Sequence, residues 1–497
     1  MQAEGHVVPS GTKATGCVAK GDSISQEGRS VQVPPADLRA PQSRGYSDQP
    51  SRSPWIAQLS PDGPARPLDA DASTDVAIVG AGIAGVATAF FTLRSTTKRV
   101  MLLERDRVGR GATGRNAGQL TTYFERPLYD IADEFGAEMA VAAQRAFDGA
   151  HDLLDLMAAE AGATVRVERF AGHMGMFSLN HLQVHLRNNL LRYQGGLQVE
   201  ACVVSEDAAF LGQIPPEFSS LYAIVPQARI RELLETQDDR YVAVISDRKG
   251  CANGGALVQQ VLAYLEQRYG DRFRYVDHTF VERVVVRDGG VVVRAGGHAV
   301  LASHVVLCTN GFVDHVVEDG VGGRISLHSD QQVTPTIGYM AAFVEEQQRT
   351  PAAMSYIRNT EVGGDTPYVY VTRRTYDRTD DTVTLTCMGG PEHPIDGAIY
   401  DRAAPFPGAM LTDMDERIRP FAQPARPRGR PYDFQWHGPM GYTGGMVRVI
   451  GAHPRHPMVL YNLGCNGVGF LPSMYGGQQV ARIIAGEHLP PSIFDPR

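Results

Sequence analysis

A mixed α/β chain organised around a Rossmann-like dinucleotide-binding unit is the fold class this sequence predicts. Three observations predict it: a β-α-β pattern between Asp75 and Glu104, the glycine string Gly80-Ala81-Gly82-Ile83-Ala84-Gly85 at its first turn, and an acid closing its second strand. Asp75–Gly80 reads as a short buried strand, Ile83 to about Leu93 as a helix, and Arg99–Glu104 as the next strand. Gly80 permits the tight turn, Gly82 lets the backbone approach a pyrophosphate, and Gly85 lets the helix pack closely on the sheet. An anionic pyrophosphate then meets the positive end of that helix. Glu104 lies 19 residues beyond the last glycine, where a carboxylate holds both hydroxyls of an adenosine ribose and repels a 2′-phosphate.

The residues after Glu104 favour FAD over a nicotinamide. Gly109 to Leu120 is a long stretch of small residues, and small side chains with free amides let a backbone run along an extended dinucleotide. A simple nicotinamide dehydrogenase is expected to continue into an ordinary helix here. Pro127–Gly162 carries helical spacing, with Met139, Ala143, Phe147, Ala150, Leu154 and Met157 on one face. Ala256–Tyr269 reads as another helix. Strand-like runs follow at Phe280–Val286, Val291–Arg294 and His304–Cys308, the first two joined by the hairpin signal at Asp288–Gly290. Tyr368–Val371 and Val383–Cys387 read as an antiparallel pair across a polar loop at Asp377–Asp381, and a last helix is expected over Gly476–Ala485.

This order predicts a nucleotide domain interrupted by insertions. Residues 1–53 form a flexible arm; 54–128, 238–318 and 440–497 form the cofactor domain; 129–237 and 319–439 form a substrate domain of antiparallel sheet plus helices.

The chain's 497 residues, 43% hydrophobic and 21% charged, fit a globular protein with a sizeable core. A net charge of −8 argues against a nucleic-acid partner, and the cluster Arg426–Arg430, interrupted by proline, reads as a solvated loop. Six cysteines without CxxC spacing indicate a reducing compartment. The amino terminus lacks the basic and apolar stretches of a secretory leader, and the longest apolar stretch, Val76–Phe91, is too short and glycine-broken for a membrane span. A cytoplasmic location is expected. His181 and His185 have metal-ligand spacing, but Leu182 stands where a zinc protease needs Glu, so no metal is expected. No GxSxG elbow is present, which removes the hydrolase reading.

These motifs resemble the D-amino-acid oxidase superfamily of flavoproteins, most closely its glycine/sarcosine oxidase and gamma-glutamylputrescine oxidase branches. Asp75–Glu104 is similar to the family's FAD motif. Gly111-Ala112-Thr113-Gly114-Arg115-Asn116-Ala117-Gly118-Gln119 resembles the GASGRNGGQ signature that lies against the flavin, and Pro54–Ile56 resembles the segment that precedes the fingerprint. Phe280–Val284 resembles the strand whose backbone meets the adenine, Val281 taking that position. Val305–Gly311, ending in Thr309, Asn310 and Gly311, resembles the VVLATNG strand end. Trp436–Thr443 resembles the segment that enters the last cofactor-domain strands. Tyr461–Phe470 resembles the GxxGHG turn under the flavin, with Gly464, Asn466, Gly467, Val468, Gly469 and Phe470 in it. The resemblance implies that these residues, with Glu104 and Arg105, bind FAD. Two departures stand out. Asn466–Gly469 lacks the usual His, and His437, Gly438 and Pro439 occupy the stretch where sarcosine-oxidase-like members carry a flavin-linked Cys, so non-covalent binding is expected.

The implied chemistry moves a hydride from the carbon beside an amine nitrogen to flavin N5, leaving an imine that water hydrolyses. Amides at Gly467–Phe470 could stabilise charge at the N1–C2 edge. Substrate-facing candidates are Tyr368, Tyr370, Arg373, Trp436, His437 and Tyr442, with an Arg–Tyr pair as a carboxylate clamp. Tyr368 and Tyr370 alternate with Val369 and Val371, so at least one of the tyrosines is expected to be plain strand packing. Three readings stand: an oxidase of a small amine or amino acid passing electrons to oxygen, a dehydrogenase of the same fold using another acceptor, and a non-catalytic flavin-binding scaffold.

Overall fold

Strand β1 (Ala72–Val79), helix α1 (Ile83–Ser95) and strand β2 (Val100–Leu103) form the expected crossover, with β1 and β2 parallel. Val76, Ala77 and Ile78 are completely buried, as a parallel strand covered on both faces requires. The other edge of β1 pairs in parallel with Val300–Leu307 of the strand His298–Leu307, whose last three residues pair in parallel with the strand Val459–Leu463. The first half of His298–Leu307 belongs to an antiparallel meander with Gly290–Ala295 and Val281–Arg287.

This computed structural model describes residues 46–345, 347–358, 368–378, 381–395, 400–422 and 432–497. Most of the expected arm and the cluster Arg426–Arg430 lie outside the described residues. Among those described, nine strands form this first sheet and ten form a second, giving a mixed α/β architecture. No helix among them is long and apolar enough to cross a membrane.

One face of the first sheet is covered by α1, the helix Gly254–Tyr269 and the closing helix Phe470–Ile484, which share a continuous apolar core. The run expected as one helical pattern over Pro127–Gly162 is three helices, Leu128–Phe135, Ala137–Asp148 and Ala150–Glu160. They part at Gly136, whose φ of +90° no helix accommodates, and at Gly149. The apolar face survives the breaks, because Ala143, Phe147, Ala150, Leu154 and Met157 all enter the same core.

The second sheet is largely antiparallel and runs from Phe434–Thr443 through Val333–Val344, Thr382–Pro394 and Tyr368–Asp377 to Ala352–Ile357 and beyond. Ala243–Ala252 also pairs in it, so the chain passes from the second sheet to the first at Asn253 rather than near residue 238. Asn253 caps the next helix by accepting the Ala256 N–H at 3.1 Å. Just upstream of the fingerprint, Ser53 donates to the Gly114 carbonyl at 2.6 Å and the Trp55 indole donates to the Asn116 carbonyl at 2.5 Å. These two bonds pin the small-residue segment against the sheets.

Candidate active site

The fingerprint glycines sit where side chains cannot. A Cβ on Gly85 would lie 1.8 Å from the Gly80 carbonyl oxygen, and Gly80, at φ +101°, turns against the Cys308 carbonyl. Gly82 differs, because a Cβ there would meet only the Thr113 hydroxyl oxygen, at 3.0 Å. That hydroxyl accepts the Ile83 N–H at 2.9 Å, drawing the small-residue segment onto the positive end of α1.

A cavity of about 520 Å³ opens here, within the range of roughly 300–1,000 Å³ common for cofactor sites. Gly80, Gly82, Ile83 and Ala84 line its start, followed by Glu104 and Arg105. Glu104 accepts the Ala81 N–H at 2.7 Å and the Asp106 N–H at 2.9 Å, while burial pushes its carboxyl up to about 7. Arg105 pairs with Asp314 at 3.0 Å and stacks between Phe280 and Phe312, 4.8 and 5.0 Å from their centroids. Gly111, Ala112, Thr113, Arg115, Asn116, Ala117 and Gln119 run along the cavity, with Val281, Thr309 and Asn310 opposite. The turn Gly467, Val468, Gly469 and Phe470 closes it at the N-terminus of the last helix.

Arg448 lines the same cavity beneath that helix. It is 5% exposed, and its guanidinium donates to Asn462 Oδ1 at 2.8 and 3.0 Å and to the Ser473 hydroxyl at 2.9 Å. Among the described residues no carboxylate pairs with it, and burial lowers its pKa to about 10. A desolvated cation held by neutral acceptors calls for an anion from outside the chain.

The far wall is built from alternate residues. Gln119, Thr121, Tyr123 and Glu125 line the cavity, while Leu120 and Phe124 pack into the apolar core on the other side. Tyr368 donates to Glu125 Oε1 at 2.9 Å, Tyr123 reaches the same oxygen at 3.3 Å, and Tyr442 donates to Glu392 Oε2 at 2.8 Å. Burial raises the Glu125 carboxyl, opposed by its tyrosine donors and by Lys249.

Of the substrate-facing candidates, Tyr368 and Tyr370 both line the cavity. Two positions apart on one strand they share a face, and Val369 and Val371 take the packing role behind them. Tyr442 meets the cavity through Glu392. The other three do not line it. Arg373 is 4% exposed and forms a two-pronged ion pair with Glu235 at 2.7 and 2.6 Å, so it clamps a carboxylate of this chain. Trp436 is fully buried, edge-on to Trp55. His437 is held neutral by burial, its Nδ1 accepting from Tyr400 and its Nε2 donating to the Ala404 carbonyl, each at 2.9 Å. Ala81, Gly85, Gly118, Gly311, Gly464 and Asn466 likewise lie behind the wall. Gly311, for example, abuts the Met440 carbonyl, and the Asn466 side chain accepts the Thr443 N–H at 2.8 Å. Replacing Arg373 by alanine is therefore expected to lower stability by roughly 2 kcal/mol, read by denaturant titration, and to leave the substrate KM unchanged.

Sequence reasoning missed Glu125, Glu392 and Arg448. The alternation from Gln119 to Glu125 could have exposed the first; the other two reach the cavity only through strand pairing far along the chain.

The arrangement fits a flavin dinucleotide. A side-chain-free approach at Gly82, amides at a helix start, an acid at the end of β2 and an unpaired buried cation match its pyrophosphate, ribose and electron-rich ring. Such a nucleotide cradle, joined by one cavity to an antiparallel sheet, defines a flavin-dependent oxidoreductase. The family model for DAO, FAD dependent oxidoreductase, matches residues 75–483, and the chain belongs to that family. No curated protein matches the chain in sequence. Among solved structures, glycine oxidase from Geobacillus kaustophilus is 16% identical with a TM-score of 0.59, covering 84% of this chain and 96% of its own. L-proline dehydrogenase from P. horikoshii is 14% identical with a TM-score of 0.64, covering 86% and 97%. L-amino acid deaminase from Proteus vulgaris is 17% identical with a TM-score of 0.55, covering 89% and 97%. At these identities the likeness is one of fold.

Proposed function

We propose that this protein oxidises a C–N bond of a small amine or amino acid, yielding an imine that water hydrolyses. One observation carries the reading: a single cavity joins the glycine cradle to a wall of tyrosines and carboxylates, so cofactor and substrate share one enclosure. Glycine oxidase and L-amino acid deaminase, which share the fold, act on such compounds by name. Gly80–Ala84, Glu104, the Gly111–Gln119 segment and the Gly467–Phe470 turn would hold FAD, without a covalent bond. Bound FAD supplies the acceptor for a hydride leaving the carbon beside nitrogen. The wall's part is to orient the amine and hold its protons; the tyrosine rings shield the reacting carbon from water. Arg448 and the amides at the head of the last helix place positive potential where negative charge develops. Oxygen or another acceptor then takes the electrons. The five cysteines among the described residues are all free thiols, consistent with a cytoplasmic setting.

The test is optical. Purified holoprotein should be yellow, and a member of an amine and amino-acid panel should bleach it without air. Recolouring by air with peroxide marks an oxidase; slow recolouring by air but rapid recolouring by a dye marks a dehydrogenase. A yellow protein that dithionite bleaches and no member of the panel does would overturn the proposal.

A further inference from the structure

The substrate wall is rich in acceptors and poor in donors. The hydroxyls of Tyr368 and Tyr442 are spent on Glu125 and Glu392, and Tyr123 leans on Glu125 as well. A Cβ on Gly467 would lie 3.0 Å from Glu125 Oε1 and 3.2 Å from the Tyr442 hydroxyl, so both acid–tyrosine pairs meet at the turn that closes the cofactor cavity.

Most of the arginines that could bind a carboxylate are paired with acids of the chain. Arg373 faces Glu235, and Arg105, Arg110 and Arg402 pair with Asp314, Asp62 and Asp106. Arg115 gives its Nε to the Arg110 carbonyl at 3.1 Å, and Arg448, bonded to Asn462 and Ser473, is the cation assigned above to the flavin. Lys249 lies over the Tyr123 ring at 5.3 Å, outside the cavity lining.

A second feature points to a ligand. Thr121, two residues before Tyr123, is 7% exposed and lines the cavity, and its hydroxyl has no hydrogen-bond partner among the described residues. A buried hydroxyl left unmatched costs roughly 1–3 kcal/mol unless a bound molecule completes it. Tyr368 and Tyr370 add two ring faces, 6.3 Å between centroids, and ring faces attract a cation.

Resting on the C–N oxidation reading, we infer that the site takes its substrate as a cationic amine without an α-carboxylate, the ammonium group lodging between Glu125 and Glu392. The pair discriminates by repulsion as well as attraction, because a carboxylate brought to this wall meets two acids whose tyrosine donors, Tyr368 and Tyr442, are already engaged. Before hydride transfer the ammonium gives one N–H proton to a carboxylate oxygen of Glu392. The nitrogen keeps its lone pair, and cation and anion become a neutral amine and a neutral acid.

Glu392 suits this exchange. It stands at the cavity rim, reached by solvent but enclosed by protein on most sides, and the lost hydration pushes its carboxyl up to about 7. Tyr442 faces it from one strand, Tyr368 and Tyr370 from another, and Glu125 from the segment after Leu120. Tyr442 lowers the value by donating, and Glu125 raises it by repulsion. The ionised form binds the cation, so amine affinity should fall as pH drops through about 7.

The experiment titrates holoprotein anaerobically with matched pairs, following the flavin band: lysine against cadaverine, and phenylalanine against phenethylamine. The decarboxylated member should perturb or bleach the band at a concentration about tenfold lower or more, since a carboxylate set against like charges is repelled even where solvent reaches one of them. E392Q should weaken that response about tenfold or more, as loss of a charge-assisted hydrogen bond does, and abolish the pH step. Y442F, which removes the donor, should move the step upward. E125Q should also weaken the amine, with the yellow colour retained as the check on folding. Preference for the amino-acid member, or an E392Q variant with unchanged affinity and pH profile, overturns the inference while leaving C–N oxidation standing. A flavin that dithionite reduces and neither class perturbs overturns both.

Discussion

Alanine at Gly82 is expected to give a folded protein that has lost FAD. The added methyl meets only the end of the Thr113 side chain, and φ there is −79°, which any residue adopts, so the fold bears little cost. The pyrophosphate is different, because its close approach needs that space empty. FAD affinity should fall at least ~100-fold, or about 2.8 kcal/mol, by equilibrium titration, with the apoprotein melting near the wild-type temperature. Gly85→Ala provides the contrast. Its methyl would overlap the Gly80 carbonyl, backbone against backbone, and should cost about 3 kcal/mol or more of a marginal total. Gly63→Ala, with nothing within 4 Å, should change neither property. A G82A protein that stays yellow at wild-type affinity would sink the cradle assignment.

Methionine in place of Arg448 should move two measurements in opposite directions. The guanidinium is buried without a counter-ion among the described residues, and such a charge carries a desolvation cost of several kcal/mol that neutral acceptors offset only in part. Methionine keeps the length and removes that cost, so apoprotein stability should hold or rise. The same change removes a buried cation that has no acid partner among the described residues, so FAD should bind at least tenfold more weakly and the flavin potential should drop. If stability and flavin affinity fall together with the potential unchanged, Arg448 is a structural brace for Asn462 and Ser473 and nothing more.

The contrast between these residues shows what a sequence can disclose. Gly80, Gly82 and Gly85 were legible because their requirement is local, set by one turn and the helix it opens. The last helix was expected to begin at Gly476 but begins at Phe470, and Gly476 and Gly477 lie inside it. They are there for close packing: a Cβ on Gly476 would collide with Asn462, and one on Gly477 with the backbone at Ala87 and Thr88. Arg373 was a reasonable clamp until folding brought Glu235, 138 positions away, into its reach. Glu392 and Arg448 carry no local signature, since each acquires its meaning from partners on other strands. The cofactor cradle was readable and the substrate wall was not, for that reason.

The strand His298–Leu307 also bears on how the protein is made. It lies between β1 and Val459–Leu463, so the floor of the flavin site is assembled from three stretches far apart in sequence. Val459–Leu463 must therefore be made before the pocket has a floor, and until then the edge of His298–Leu307 that it covers waits for its neighbour. Flavin capture belongs to the finished molecule. An unpaired strand edge left open in that interval is a site for aggregation, and the ligand that later stabilises the fold cannot yet cover it.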